Sequence, residues 1–99
     1  MDAYIKEIKK NLHLSGQLSM VLEMLMTRDV VSKDELLQSI KDYNPRIPHS
    51  PSTVRMVIYR LRSYLIKHGF HIQSRYGEGY YLPPADKALL KPMIAGEVS

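Results

Sequence analysis

The sequence predicts a mainly α-helical domain carrying one small β-hairpin, an α+β fold, on three observations. Leu18, Val21, Leu22, Leu25 and Met26 recur at helical spacing in GQLSMVLEMLMT, the apolar stripe of a core helix. Ser32 and Glu35 in VVSKDELLQSI form an S-x-x-E pattern, in which two side chains satisfy each other's backbone donors at a helix start. FHIQSRYGEGYYLP alternates and is rich in aromatic and β-branched residues around Gly77-Glu78-Gly79, the pattern of a hairpin.

Taken in order, DAYIKEIKKNL spaces Tyr4, Ile5, Ile8 and Leu12 as a short helix with Asp2 as its cap. A buried helix follows over residues 16–27. The Ser32 capping box starts another, expected from Lys33 to Lys41 with Leu36, Leu37 and Ile40 inward. DYNPRIPHSP then holds three prolines in ten residues. Each removes a backbone donor and restricts its predecessor, so residues 42–51 read as a stiff loop. The next helix starts at Ser50-Pro51 or Ser52 and runs through STVRMVIYRLRSYLIKH, about 51–68, until Gly69 closes it in the left-handed conformation.

On a wheel of 100° per residue, Val54, Ile58, Leu61 and Leu65 fall within about 60° and form this helix's buried stripe. Ser52, Thr53, Met56, Tyr59, Arg60, Ser63 and Lys67 lie on the far side, and Arg55 and Arg62 on one shoulder. The hairpin, about 70–82, is expected to bury Phe70, Ile72, Tyr80 and Leu82. Pro83-Pro84 ends it, and ADKALLKPMIAGEVS is expected to form one helical turn and then fray.

The 99 residues suit one domain, with 44% apolar and 24% charged residues, a composition in the ordinary globular range. No apolar run reaches the roughly 18 residues of a membrane span, and the charged N-terminus lacks a signal peptide's apolar stretch. A cytoplasmic protein without membrane contact is expected. With no cysteine, disulfides and thiolate zinc sites are excluded. His13, His49, His68 and His71 are scattered, so no metal site is expected. No nucleophile stands with a base and no carboxylate pair is evident, so neither catalytic residues nor a cofactor is expected.

The net charge of +4 is unevenly spread. Residues 1–49 balance seven Lys/Arg against seven Asp/Glu, whereas residues 50–82 carry Arg55, Arg60, Arg62, Lys67 and Arg75 against Glu78 alone. A local cationic field of this kind suits a polyanion.

Two helices, a turn, a basic helix and a glycine-containing hairpin are the parts of a winged helix-turn-helix, a three-helix core with a C-terminal wing. VRMVIYRLRSYL followed by IQSRYGEGYYL resembles the DNA-binding effector domain of OmpR/PhoB-type response regulators. That family shows V-D-V-H-I-x-R-L-R-K-x-L and then I-x-T-V-R-G-x-G-Y-x-L. Val54, Ile58, Arg60, Leu61, Arg62 and Leu65 match the helix, and Ile72, Gly77, Gly79, Tyr80 and Leu82 the hairpin. Upstream, LSGQLSMVLEMLMTRDVVSKDELLQSI is similar to the family's L-T-x-x-E-x-x-L-L-x-x-L and V-V-S-R-x-x-L. The resemblance covers residues 14–82, leaving 1–13 as an N-terminal extension able to form a helix and 83–99 as a tail. Residues 1–13 are too few for the family's N-terminal four-stranded sheet, and no receiver domain precedes them, so a stand-alone regulator of phage or accessory type is expected. Arg55 stands at a usual Asp, Val57 at a frequent His, and Arg75-Tyr76 replaces the Val-Arg order of the wing.

The resemblance implies a transcriptional regulator that binds double-stranded DNA, with the basic helix in the major groove and the wing on the minor groove or backbone. Arg60 is expected at base edges and Arg55 and Arg62 at phosphates. Ser52 and Thr53 lie at the helix start, where amides favour phosphate; for Ser52, capping is the stronger expectation. Tyr59 suits a thymine methyl or a phosphate, and Met56 a base or a partner. Ser63, Lys67, Arg75 and Tyr76 complete the expected DNA-binding set. A small domain gains affinity by dimerisation or tandem binding, and loop 42–51 corresponds to where some members touch RNA polymerase. The alternative is an interaction module whose basic face binds RNA polymerase or another acidic regulator protein without reading DNA.

Overall fold

Helix caps written into the sequence set most boundaries of the chain. A computed structural model describes residues 2–48 and 50–96. It shows α1 (Asp2–Leu12), α2 (Gly16–Thr27), α3 (Lys33–Tyr43), α4 (Pro51–Ile66), β1 (Gln73–Arg75), β2 (Gly79–Tyr81) and α5 (Pro84–Ile94). The expected roles of the Asp2 and Tyr4 side chains, and of His49, fall outside the described residues.

Helix α1 turns Ile8 and Leu12 into the core and ends at His13, whose φ of 57° is left-handed. Ser15 caps α2 by accepting from the Leu18 amide at 3.3 Å. Val21, Leu22 and Leu25 of the expected stripe are fully buried, as is Ser19, and Met24 and Glu23 are nearly so. Leu18 and Met26 are only partly covered. The buried arc is wide because α1, α3 and α4 all pack against α2.

Ser32 and Glu35 close the expected capping box, with Glu35 N–H donating to Ser32 Oγ at 3.0 Å and Ser32 N–H to Glu35 Oε1 at 3.4 Å. Glu35 also pairs with Arg28 at the end of α2. Helix α3 continues to Tyr43, two residues past the expected end, so the loop before α4 is shorter than 42–51. That loop is pinned at Pro48, whose carbonyl accepts from Thr53 Oγ1 at 2.9 Å. Ser50 caps α4 and Pro51 occupies its first turn, where proline's missing donor costs nothing. The helix ends at Ile66, short of the expected 68. Phe70 N–H reaches Leu65 O at 3.0 Å and Gly69 N–H reaches Ile66 O at 3.1 Å. With Gly69 at φ 85°, this is the Schellman closure.

The antiparallel hairpin pairs Gln73 with Tyr81, Ser74 with Tyr80 and Arg75 with Gly79. Phe70, Ile72, Tyr80 and Leu82 are buried as the alternation required. Tyr80 also exchanges both backbone hydrogen bonds with Val31, at 2.8 and 2.9 Å. The wing is thereby fastened beside the start of α3. The whole is a winged helix-turn-helix, with α2, α3 and α4 as its core and the hairpin as its wing.

Fraying after Pro84 is corrected: α5 is eleven residues long. Leu90 and Ile94 are fully buried, and polar ties hold the helix in place. Asp86 accepts from the His71 amide at 3.0 Å, Lys87 donates to Arg28 O at 2.8 Å, and Asn11 donates to Ile94 O at 2.6 Å. Tertiary burial holds the helix despite Pro92 inside it. Among the described residues, no helix is long and apolar enough to cross a membrane.

Candidate nucleic-acid interface

Core packing decides which side of α4 meets solvent. Val54, Ile58, Leu61 and Leu65 are at most 2% exposed, which turns Ser52, Arg55, Met56, Tyr59, Arg60 and Lys67 outward. Arg62 and Ser63 are half-buried at the margin. Tyr59 is 68% and Met56 48% exposed, and Ile66 at the helix end 52%, large apolar surface left open on α4.

Three placements differ from the wheel, the half-buried Ser63, expected on the far side, being one of them. Thr53 is 5% exposed and its hydroxyl is committed to Pro48 O, so it is corrected from an outward phosphate ligand to an anchor for the preceding loop. Val57 is 1% exposed, extending the buried arc past the expected stripe. Arg62 donates through Nη2 to the Ile72 carbonyl at 3.3 Å. This guanidinium therefore braces α4 against the segment entering the wing, with further N–H groups left to face outward.

On the wing, Arg75 lies with its Cζ 4.8 Å from the centre of the Tyr81 ring, and its Nε is 3.9 Å from Glu78 Oε2. The aromatic face and the carboxylate hold the cation at the wing's edge. Tyr76 at the tip is wholly exposed. Among the described residues, the ion pairs are Arg28–Glu35 and Arg75–Glu78, so Arg55, Arg60 and Lys67 face solvent without an acidic partner there.

An open groove of about 660 Å³ lies between the wing, residues 74–79, and Ser32, Lys33 and Asp34 at the start of α3. A smaller recess of about 160 Å³ joins Lys33 and Asp34 to Pro51, Val54 and Arg55 on α4. Lys33 thus lines both recesses, with Arg75 in the one and Arg55 in the other. It is absent from the expected set, because only the Val31–Tyr80 pairing brings the wing beside it. The one local signal was its place in the first turn of a capped helix. Asp34 and Glu78 are the acids of this surface. No group of three or more His, Cys, Asp or Glu that could hold a metal ion occurs among the described residues.

The model of the family described as "Transcriptional regulatory protein, C terminal" matches residues 2–82. The chain belongs to this family, the OmpR/PhoB-type C-terminal DNA-binding domains. It is accordingly a DNA-binding domain of transcriptional regulation, in a family that is not one of enzymes. The match takes in α1 and the wing and stops before α5. None of the curated proteins matches the chain.

Proposed function

We propose that this OmpR/PhoB-type domain binds duplex DNA in a sequence-specific manner, with α4 in the major groove and the wing on the adjacent minor groove or backbone. The observation that carries the reading is the outward face of α4. Arg55, Arg60 and Lys67 lie there without an acidic residue anywhere on the helix, and Lys33 and Arg75 face the same concavity. Arg60 reads base edges. Arg55, Arg62, Lys67, Lys33 and Arg75 neutralise phosphates, with Ser52, Ser63 and Tyr76 adding polar contacts. Phosphate contacts fix register while base contacts carry the sequence information.

Replacing Arg60 by Ala tests the division of labour. Loss of a bidentate base contact costs about 1–3 kcal/mol at the cognate site and little on unrelated duplex. Equal losses on both would reduce Arg60 to a phosphate contact. Two copies on repeated half-sites supply the affinity that one small domain lacks. The loop between α3 and α4, held by Thr53 and exposing Arg46, is the surface for RNA polymerase. Arg46→Ala is expected to lower transcription in a purified system while leaving DNA affinity unchanged.

A further inference from the structure

The exposed chemistry of α4 restricts which bases it can recognise, and this inference rests on the DNA-reading role proposed above. Residues Pro51–Ile66, PSTVRMVIYRLRSYLI, contain no Asn, Gln, Asp, Glu or His. Adenine is recognised in the major groove by the paired donor and acceptor of an amide side chain, and cytosine by a carboxylate accepting from its N4 amine. Neither is available on this helix. Its arginines match the two acceptors of guanine, and its serine hydroxyls are permissive.

What remains on the reading face is apolar. Met56 and Tyr59 are three residues apart, hence on one side of the helix. They are 48% and 68% exposed, and Arg55 and Arg60 flank them in the sequence. Ile66, 52% exposed, continues the line that Arg55, Tyr59 and Arg62 make at helical spacing. The one apolar group that duplex DNA presents at the floor of the major groove is the 5-methyl of thymine. We propose that α4 is a guanine and thymine reader, in which Met56 and Tyr59 recognise thymine through its methyl group and Arg60 recognises guanine.

Deoxyuridine isolates the claim, since it keeps every hydrogen-bonding edge of thymine and lacks only the methyl. The full chain is used to enrich duplexes from a random pool, and the winner is resynthesised with uracil for thymine. Burial of one methyl corresponds to roughly a fourfold gain in affinity, so the uracil duplex is expected to bind about 3- to 10-fold more weakly, depending on how many thymines are touched. The variant with Met56→Ala and Tyr59→Ala alters exposed positions and keeps the fold, as circular dichroism will register. It is expected to bind the thymine duplex less well and to lose the difference between the two duplexes. Arg60→Ala is expected to weaken both and keep their ratio. Equal binding of both duplexes by the native chain, or a ratio that survives loss of Met56 and Tyr59, overturns the assignment and leaves DNA reading intact. Enrichment of no sequence overturns the DNA-reading role and this inference with it.

Discussion

Gly79 is where the wing meets the rest of the domain. Its φ is 145°, and a Cβ there would lie 2.1 Å from the Val31 carbonyl and 2.8 Å from Ser32 Cα, both backbone atoms that cannot rotate away. Gly79→Ala is therefore expected to cost about 2 kcal/mol or more, read as a lower urea midpoint, whereas Gly77→Asn, at φ 75° but with no atom in the way, is expected to cost less, since asparagine tolerates the left-handed region. Tyr64 offers a titration readout. Its ring meets His68 at 4.9 Å, and burial pushes its phenol above the ordinary 10.0. The neutral form is thus favoured by folding, so its contribution is complete below pH 10 and is lost as pH rises from there through the raised folded value. Tyr64→Phe is expected to blunt alkaline destabilisation, measured by urea unfolding between about pH 9 and 11. Side-chain roles were partly legible in the sequence. The wheel placed Val54, Ile58, Leu61 and Leu65 inside and Met56, Tyr59 and Arg60 outside. It missed Thr53 and Val57 because α4 packs on both α2 and α3, which widens the buried arc beyond one stripe.

At the scale of elements, local chemistry was most readable where a start or stop has a dedicated residue. Ser32 with Glu35 fixed the start of α3 in advance. For α4, Ser50-Pro51 was one of two starts left open, the cap expected of Ser52 belongs to Ser50, and Gly69 marked the closure to within two residues, since such residues satisfy backbone groups that a helix end leaves open. Helix α5 shows the opposite case. PADKALLKPMI has a proline in its first turn, Asp86 near its start and Lys91 near its end, but no side-chain cap announces it and the partners that dock it lie far away in sequence: Arg28 for Lys87, His71 for Asp86, and Asn11 for the Ile94 carbonyl. A docked α5 makes Leu90→Ala expensive, about 2–5 kcal/mol. A frayed tail would tolerate the same change within about 0.5 kcal/mol, so one chemical denaturation curve separates the two. Asp86 and Lys87 tie α5 to the segment before the wing and to the residue that follows α2.

The whole molecule is a chain of 99 residues with a Cα radius of gyration of 12.8 Å, close to the ~13 Å expected for a compact domain of 100 residues. Packing gathers part of its charge: Arg55 of α4, Lys33 at the start of α3 and Arg75 of the wing line two neighbouring recesses. That convergence could be read from the sequence only in part, because the charge excess is linear information while the Lys33 position depends on the Val31–Tyr80 pairing. The function proposed for this surface is sequence-specific binding of duplex DNA. It is tested most directly by selecting bound sequences from a random duplex pool and titrating the winner against a scrambled duplex with salt. The expected result is an enriched motif, as a direct or inverted repeat if two copies bind together, whose binding outlasts that of the scrambled duplex as salt rises. No enrichment, with both duplexes released at the same salt, would contradict it and leave the basic face as a surface for an acidic protein partner.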